Sequence, residues 1–366
     1  MIDWQRMWND DPAFRRFSPT RAALYLLSLL YRRVMDLRNR FYDRRILTSV
    51  RLSCPVISVG NLTVGGTGKT PCVIALALML QKHGYFPAVI SRGYGGRGAA
   101  PVNIVSDGKT IFLDAGTAGD EPLLIARSLP GIPVITGPER KLTGQAATDR
   151  FQSDVILCDD AFQHRRIFRD IDIVLLDAQR PLGNRRLLPA GELREPVSQL
   201  RRASCLILTR ADQTTDLDAD IARMVQDARI PVFRASHAFR NLVKFPDNAA
   251  RTTADLQGRK ICAFCGIAKP ESFKKMLADA GADIISFVDF PDHYDYNRSD
   301  LDALERHFQA FNADYTITTE KDAMRLVAWP DFLKTVWIAR IEMDMAPSSP
   351  SFEEFILERL AKSKKG

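Results

Sequence analysis

Thr63-Val64-Gly65-Gly66-Thr67-Gly68-Lys69-Thr70 stands between the apolar run Val56-Ile57-Ser58-Val59 and a helix-forming run from Val73 to Leu80. This is the setting of a strand, a glycine-rich turn and a new helix. Glycines let backbone N–H groups converge on phosphate oxygens, and the helix turns its positive end toward the same anion. Lys69 can then reach the outer phosphates, and the Thr70 hydroxyl can ligate Mg²⁺. The octapeptide predicts binding of a nucleoside triphosphate, ATP, across Thr63 to Thr70. One departure stands out, since Thr63 occupies the place of the motif's usual first glycine.

Outward from this loop, short apolar runs alternate with helix-like segments. Ala88–Ile90, Val134–Ile135, Val155–Cys158, Ile173–Leu176 and Cys205–Leu208 read as strands, and Glu121 to Leu129 has helical spacing. The alternation predicts an α/β fold built on a P-loop-type, mostly parallel sheet with helices on both faces. Asp107-Gly108 between two apolar runs predicts a hairpin. Past residue 236 the texture changes. Phe239 to Thr253 is polar and aperiodic, after which strands and helices resume. The reading is an arm over 1–47, a core domain over 48–236, a linker over 237–257 and a smaller α/β domain over 258–366.

The composition, 46% hydrophobic and 26% charged in 366 residues, is that of a soluble globular protein with room for two cores. The six cysteines lie mostly in apolar runs. Cys262-x-x-Cys265 has no second pair at ligand spacing and reads as part of a buried strand. The net charge of +7 is concentrated at the start, with arginines at 15, 16, 21, 32, 33, 38, 40, 44 and 45. The apolar stretch they flank, Ala22 to Tyr31, is too short to span a bilayer, which needs roughly 20 residues. Apolar centre, tyrosines and arginines together suit the surface of an anionic membrane. Packing on the protein core is the alternative. No nucleic-acid module accompanies the charge, so no nucleic-acid partner is expected.

Several polar clusters could carry chemistry. Asp159-Asp160 closes an apolar strand, and ligands of open parallel sheets lie beyond such carboxyl ends. Either acid could hold Mg²⁺ with Thr70, or cap the following helix. Asp120 opens a helix after Gly119, as an N-cap or as a general base. Glu192, in the proline-bracketed segment 188–196, is another acid, and His293 lies between Asp292 and Tyr294. Thr318-Thr319-Glu320-Lys321-Asp322 has a helix-capping pattern.

These segments together resemble one family, the tetraacyldisaccharide 4′-kinases of lipid A biosynthesis. The resemblance rests on Val59 through Pro71, Ser91-Arg92-Gly93-Tyr94-Gly95, Gly119-Asp120-Glu121-Pro122, Asp159 through Arg165, Pro189 through Glu195, Asp292-His293-Tyr294 and Thr318 through Ala323. Thr63 is itself typical of that family. The resemblance implies a kinase that moves the ATP γ-phosphate to the 4′-hydroxyl of an acylated disaccharide 1-phosphate lipid. It implies two α/β units with a linking β-ribbon and a cleft between them. Asp120 would be the catalytic base supported by His293, and Lys69 the γ-phosphate clamp. Asp159, Asp160, Glu192 and Thr70 would surround Mg²⁺. The arm would sit on the inner-membrane surface at its cytoplasmic face, and no obligate protein partner is implied. Ala161 replaces a more usual glycine and Tyr294 a frequent second histidine. The competing reading is a P-loop NTPase that works as a membrane switch. Thr209-Arg210-Ala211-Asp212 faintly resembles a guanine-specificity element, with Thr and Arg in place of its Asn and Lys.

Overall fold

The computed structural model describes residues 8, 19–212, 218–245 and 249–363. Arg15 and Arg16 of the arm lie outside the described residues. The strands in chain order are β1 (Val56–Asn61), β2 (Pro87–Ser91), β3 (Asn103–Ser106), β4 (Val134–Thr136), β5 (Val155–Asp159), β6 (Ile171–Asp177) and β7 (Cys205–Thr209). They continue as β8 (Val232–Lys244), β9 (Ala249–Thr252), β10 (Lys260–Cys265), β11 (Asp283–Asp289), β12 (Tyr315–Thr319) and β13 (Trp337–Met345). The helices are α1 (Pro19–Asp43), α2 (Lys69–Lys82), α3 (Ala115–Ala118), α4 (Asp120–Ser128), α5 (Arg140–Phe151) and α6 (Ala219–Ala228). After them come α7 (Pro270–Asp279), α8 (Arg298–Gln309), α9 (Glu320–Leu326), α10 (Pro330–Leu333) and α11 (Phe352–Ser363).

The chain divides into two compact units. The first holds residues 1–92, 137–236 and 344–366, the second 93–136 and 237–343.

In the first unit, strands pair in the order β2-β5-β1-β6-β7-β8, every pair parallel. Every residue of β1, β5, β6 and β7 is buried, as parallel strands covered on both faces require. Helix α2 lies on β1, β2 and β5 through Cys72, Val73, Leu76, Ala77 and Leu80, a spacing that keeps one stripe inward. Helix α1 is held by Tyr31, whose hydroxyl donates to the Arg194 carbonyl at 2.8 Å. It is held also by Arg38, which reaches Glu195 at 3.4 Å and the Gln163 carbonyl at 2.5 Å. Phe352 and Phe355 of α11 pack on Phe233, with ring centroids 5.2 and 5.5 Å away.

The second unit has its own parallel set, β11-β10-β12-β13, with the antiparallel pairs β8–β9 and β3–β4. Its core joins Leu123 to Phe264, Tyr296, Leu301, Phe308 and Phe332.

This partition differs from the boundaries expected from the sequence in three places. Residues 93–136 group with the second unit because Leu123 and its neighbours find their apolar partners far downstream. Residues 344–366 return to the first. The segment 237–257, an irregular linker by its sequence texture and a β-ribbon by the resemblance, is mostly strand, β8 followed by the antiparallel β9. Asp107-Gly108 does turn the chain back on itself, with the Asp107 N–H on the Thr110 carbonyl at 3.3 Å, the Phe112 N–H on the Val105 carbonyl at 2.9 Å and a bridge between Ser106 and Ile111, while the longer ladder of β3 is with β4.

Candidate active site

In the first unit the phosphate loop is shaped by its backbone. Gly65 and Gly68 have φ of +112° and +85°, which L side chains rarely adopt, and open space surrounds the Cβ position of Gly65. Gly68 is the N-cap of α2 and no side chain caps that end, which leaves the first helical N–H groups directed at the loop. Asn61 ties the loop from below, donating to Thr67 Oγ1 at 3.0 Å and the Gly65 carbonyl at 3.5 Å. Gly60 is obligatory for a different reason. A Cβ there would stand 2.7 Å from that of Phe162.

The segment 192–194 runs alongside. The Val64 N–H donates to the Glu192 carbonyl at 2.8 Å, the Arg194 N–H to the Leu62 carbonyl at 2.9 Å, and Thr63 bridges Leu193. Buried Thr63 is thus one rung of a short antiparallel ladder, a place where a β-branched residue fits better than glycine. Arg210 donates to the Gly66 carbonyl at 3.3 Å and pairs with Asp177 at 2.5 Å. The segment at 209–212 therefore buttresses the loop through Arg210.

Asp160 is the acid that meets the loop's lysine. It lies 3.7 Å from Lys69 Nζ and accepts two hydrogen bonds of 2.9 Å from Arg194. Burial pushes its carboxyl up, but Lys69 and Arg194 outweigh that and keep it ionised. Asp159 is buried at the end of β5, with the Ser91 hydroxyl 3.4 Å from Oδ2 and its carbonyl bound by Arg140 at 3.2 Å. Glu192 leans on Gly183 and stands 3.7 Å from Arg180. Thr70 is half-buried at the second position of α2.

Among the described residues, no three His, Cys, Asp or Glu side chains form a metal cage. That fits Mg²⁺, which commonly takes one or two carboxylates and fills its octahedron with waters and substrate phosphates. Asp159, Asp160 and Thr70 offer that kind of hard oxygen set.

The polar run Gln163-His164-Arg165 turns out to anchor the arm. Gln163 donates to the Asn61 carbonyl at 2.9 Å, while Arg165 binds the Asn39 carbonyl at 3.2 Å and Asp43 at 2.8 Å. Burial and four surrounding arginines push the His164 imidazole down to about 4, so it is neutral.

In the second unit, Asp120 is the first residue of α4. Gly119 before it has φ of +93°, and a Cβ there would press on the Tyr94 carbonyl at 2.6 Å. Asp120 is buried; its Oδ2 pairs with Arg325 and lies 3.2 Å from His293 Nδ1. Burial pushes this carboxyl up, but the hydrogen bond from His293 and the charges of Arg325 and Lys321 outweigh it. The group lies well below the usual carboxylate range.

The ring's other nitrogen, Nε2, lies 3.1 Å from Lys321 Nζ. Lys321 and Arg325 can only donate, and the Arg325 guanidinium stands 3.2 Å from Nδ1, so the ring is flanked by a cation at each nitrogen while Nδ1 also faces the Asp120 carboxylate. Lys321 also pairs with Glu121 at 3.3 Å and Asp292 at 3.4 Å. His293 itself sits at φ +62° with its N–H on the Gly266 carbonyl. Behind it, buried Asp322 accepts from Gly266 N–H, Tyr296 and Thr319 and lies 3.5 Å from Arg325. Tyr294 turns its hydroxyl to Asp300 at 3.1 Å.

The sequence reading singled out Asp120 and His293 but not Arg325. The signal was the spacing Asp322-x-x-Arg325, which on a helix puts acid and base on one face. The role of Arg194 has no local signature, because its contact with Asp160 spans 34 residues.

The family model for tetraacyldisaccharide-1-P 4'-kinase matches residues 20–361. A tetraacyldisaccharide 4'-kinase of Syntrophus aciditrophicus is 47% identical over 365 residues, 97% of this chain and 97% of that protein. One of Geobacter sulfurreducens is 42% identical over 339 residues, 93% of each chain. The solved "apo" form of LpxK from Aquifex aeolicus in complex with ATP is similar with a TM-score of 0.76 and 31% identity, covering 93% of this chain and 99% of that one.

Proposed function

Because this chain belongs to the tetraacyldisaccharide-1-P 4'-kinase family, we propose that its phosphate loop holds ATP while Asp120 receives the acceptor's 4′-hydroxyl. The chain is an ATP-dependent kinase that phosphorylates a tetraacyldisaccharide 1-phosphate, a lipid A precursor. Phosphoryl transfer demands positioning and charge neutralisation more than covalent chemistry. The backbone N–H groups of 65–70 cradle the β- and γ-phosphates, and Lys69 neutralises charge on the transferred group. Thr70 with Asp159 and Asp160 would hold Mg²⁺, which supplies further neutralisation of the phosphate oxygens, while Glu192 is not gathered with that pair of acids.

The observation that carries the acid–base assignment is the ionised Asp120 carboxylate, held by Arg325 and within 3.2 Å of the His293 Nδ1. So weak a base orients the hydroxyl and takes its proton late, which a loose transition state permits. Asp120→Ala lowers kcat by roughly 10²–10⁴ with ATP binding retained. Turnover of the lipid at the parent rate would overturn the assignment.

We also assign the arm to the membrane surface. Leu26, Leu30, Val34 and Leu37 share one face of α1 and are 51–66% exposed, while Ser28, Met35 and Asn39 on the opposite face are buried. The apolar side of the helix thus points away from its own protein. Each leucine moved into an apolar layer is worth about 2 kcal/mol, and Arg33 and Arg40 beside that face suit anionic headgroups. No helix among the described residues is long and apolar enough to cross a membrane. ATP chemistry and the buried thiols of Cys72, Cys158, Cys205, Cys262 and Cys265 favour the cytoplasmic face of the inner membrane.

A further inference from the structure

The last turn of α4, at the opposite end from Asp120, borders a cavity of about 320 Å³ in the second unit. Arg127 lines it. The Arg127 Nε is buried without a hydrogen-bond partner, and the guanidinium stands 5.0 Å from the centroid of the Phe245 ring. Arg127 is only half-buried, but a guanidinium whose Nε is shut off from water normally has a carboxylate or other oxyanion beside it, because a desolvated donor left unpaired is unfavourable.

Among the described residues, the remaining charges around the cavity do not supply one: Lys109, Lys244 and Arg340 line it with Arg127, against a single acid, Glu320. Glu320 is already engaged, by Arg340 Nε at 3.2 Å and the Ile341 N–H at 3.2 Å. Lys244 stands over the Trp337 ring at 5.5 Å. Leu124, Phe245 and Ile338 form the apolar part of the wall.

We propose that this cavity binds a small organic anion, its phosphate or carboxylate head paired with Arg127, Lys109 and Lys244 and its short apolar body against Leu124, Phe245 and Ile338. The volume lies at the lower end of the roughly 300–1,000 Å³ of small-molecule pockets, enough for an oxyanion with a short chain and too small for a nucleotide triphosphate. A guanidinium meets such a head with two parallel hydrogen bonds, and the Phe245 ring holds the fork in plane. The site uses no residue of the phosphate loop and none of the Asp120 cluster. Its occupancy does not depend on the kinase assignment.

The test is calorimetric titration of the full chain with hexyl phosphate, hexanoate, inorganic phosphate and hexanol, repeated on Arg127→Gln, Lys244→Gln and Lys69→Ala. The expected result is saturable binding of hexyl phosphate or hexanoate, weakened at least about tenfold by Arg127→Gln, as loss of a charge-assisted pair implies. Lys244→Gln weakens it in the same direction and settles the matter should Arg127→Gln not fold. Lys69→Ala leaves this binding in place. The comparison of hexyl phosphate with hexanoate decides which head the site takes. No binding of either at millimolar concentration, or binding indifferent to both Arg127 and Lys244, overturns the proposal. So does hexanol binding as tightly as the anions, and inorganic phosphate binding as tightly as hexyl phosphate removes the apolar half of it.

Discussion

The phosphate loop and the Asp120 cluster are built on opposite principles. The loop takes its shape from backbone: two glycines at positive φ, rungs to the 192–194 segment and the capless start of α2. The Asp120 cluster takes its shape from charge, with two cations and an imidazole converging on a buried acid and its neighbours. A site that must cradle a constant ligand can be rigid and nearly neutral. A site that must accept a proton needs electrostatics that set one particular pKa. The two should therefore break differently.

The largest effect is expected where charge serves the loop. Lys69→Ala removes the cation proposed to meet the outer phosphates, and kcat/KM should fall about 10³-fold with little change in Tm. An unfolded variant would instead mean that the Lys69–Asp160 pair supports the fold. Arg325→Gln attacks the other site. Breaking a buried pair costs about 3 kcal/mol, to be read by denaturant unfolding.

This variant also carries a pH signature. The native pKa of Asp120 lies below its unfolded value of about 3.9. Its pairing therefore stabilises the fold fully above that pH, and the stabilisation is lost only as pH falls through the native value. Without Arg325 that value rises, so acid unfolding and the acid limb of the rate profile both move to higher pH. An unmoved acid limb would mean that Arg325 does not set the Asp120 pKa.

Gly60→Ala probes the backbone principle directly. The new methyl meets Phe162, and the strain should cost roughly 1–3 kcal/mol without any shift in pH dependence. The smallest effect on catalysis is expected from Leu26→Glu with Leu30→Glu. Sedimentation with anionic vesicles should lose the protein, while turnover of a short-chain, detergent-dispersed acceptor stays near the parent level. Undiminished vesicle binding would reassign the arm.

The same contrast explains what could be read from the chain. Backbone-built features leave local marks. The Gly-Lys-Thr turn, the buried runs at Val155 and Ile173 and the cap at Thr319 all appear as short patterns, and each was found where expected. Charge-built and long-range features leave few. Arg325 meets Asp120 across 205 residues, and its local spacing to Asp322 says nothing of that distant partner. Leu123 joins a core whose other members begin near residue 262, so the inclusion of 93–136 in the second unit was invisible. β8 escapes the sequence texture because only part of it is buried, and its Arg, Asn and His positions dilute the alternation that marks a strand.

In the proposed function both sites serve a single reaction, and its product tests the account most directly. The chain is incubated with ATP labelled at the γ-phosphate, Mg²⁺ and tetraacyldisaccharide 1-phosphate, and the lipid fraction is analysed for the position of the label. The account predicts a bisphosphorylated lipid labelled at the 4′-oxygen, with label transfer abolished by Lys69→Ala and by Asp120→Ala. Release of inorganic phosphate at equal rates with and without the lipid, and no labelled lipid, would contradict it.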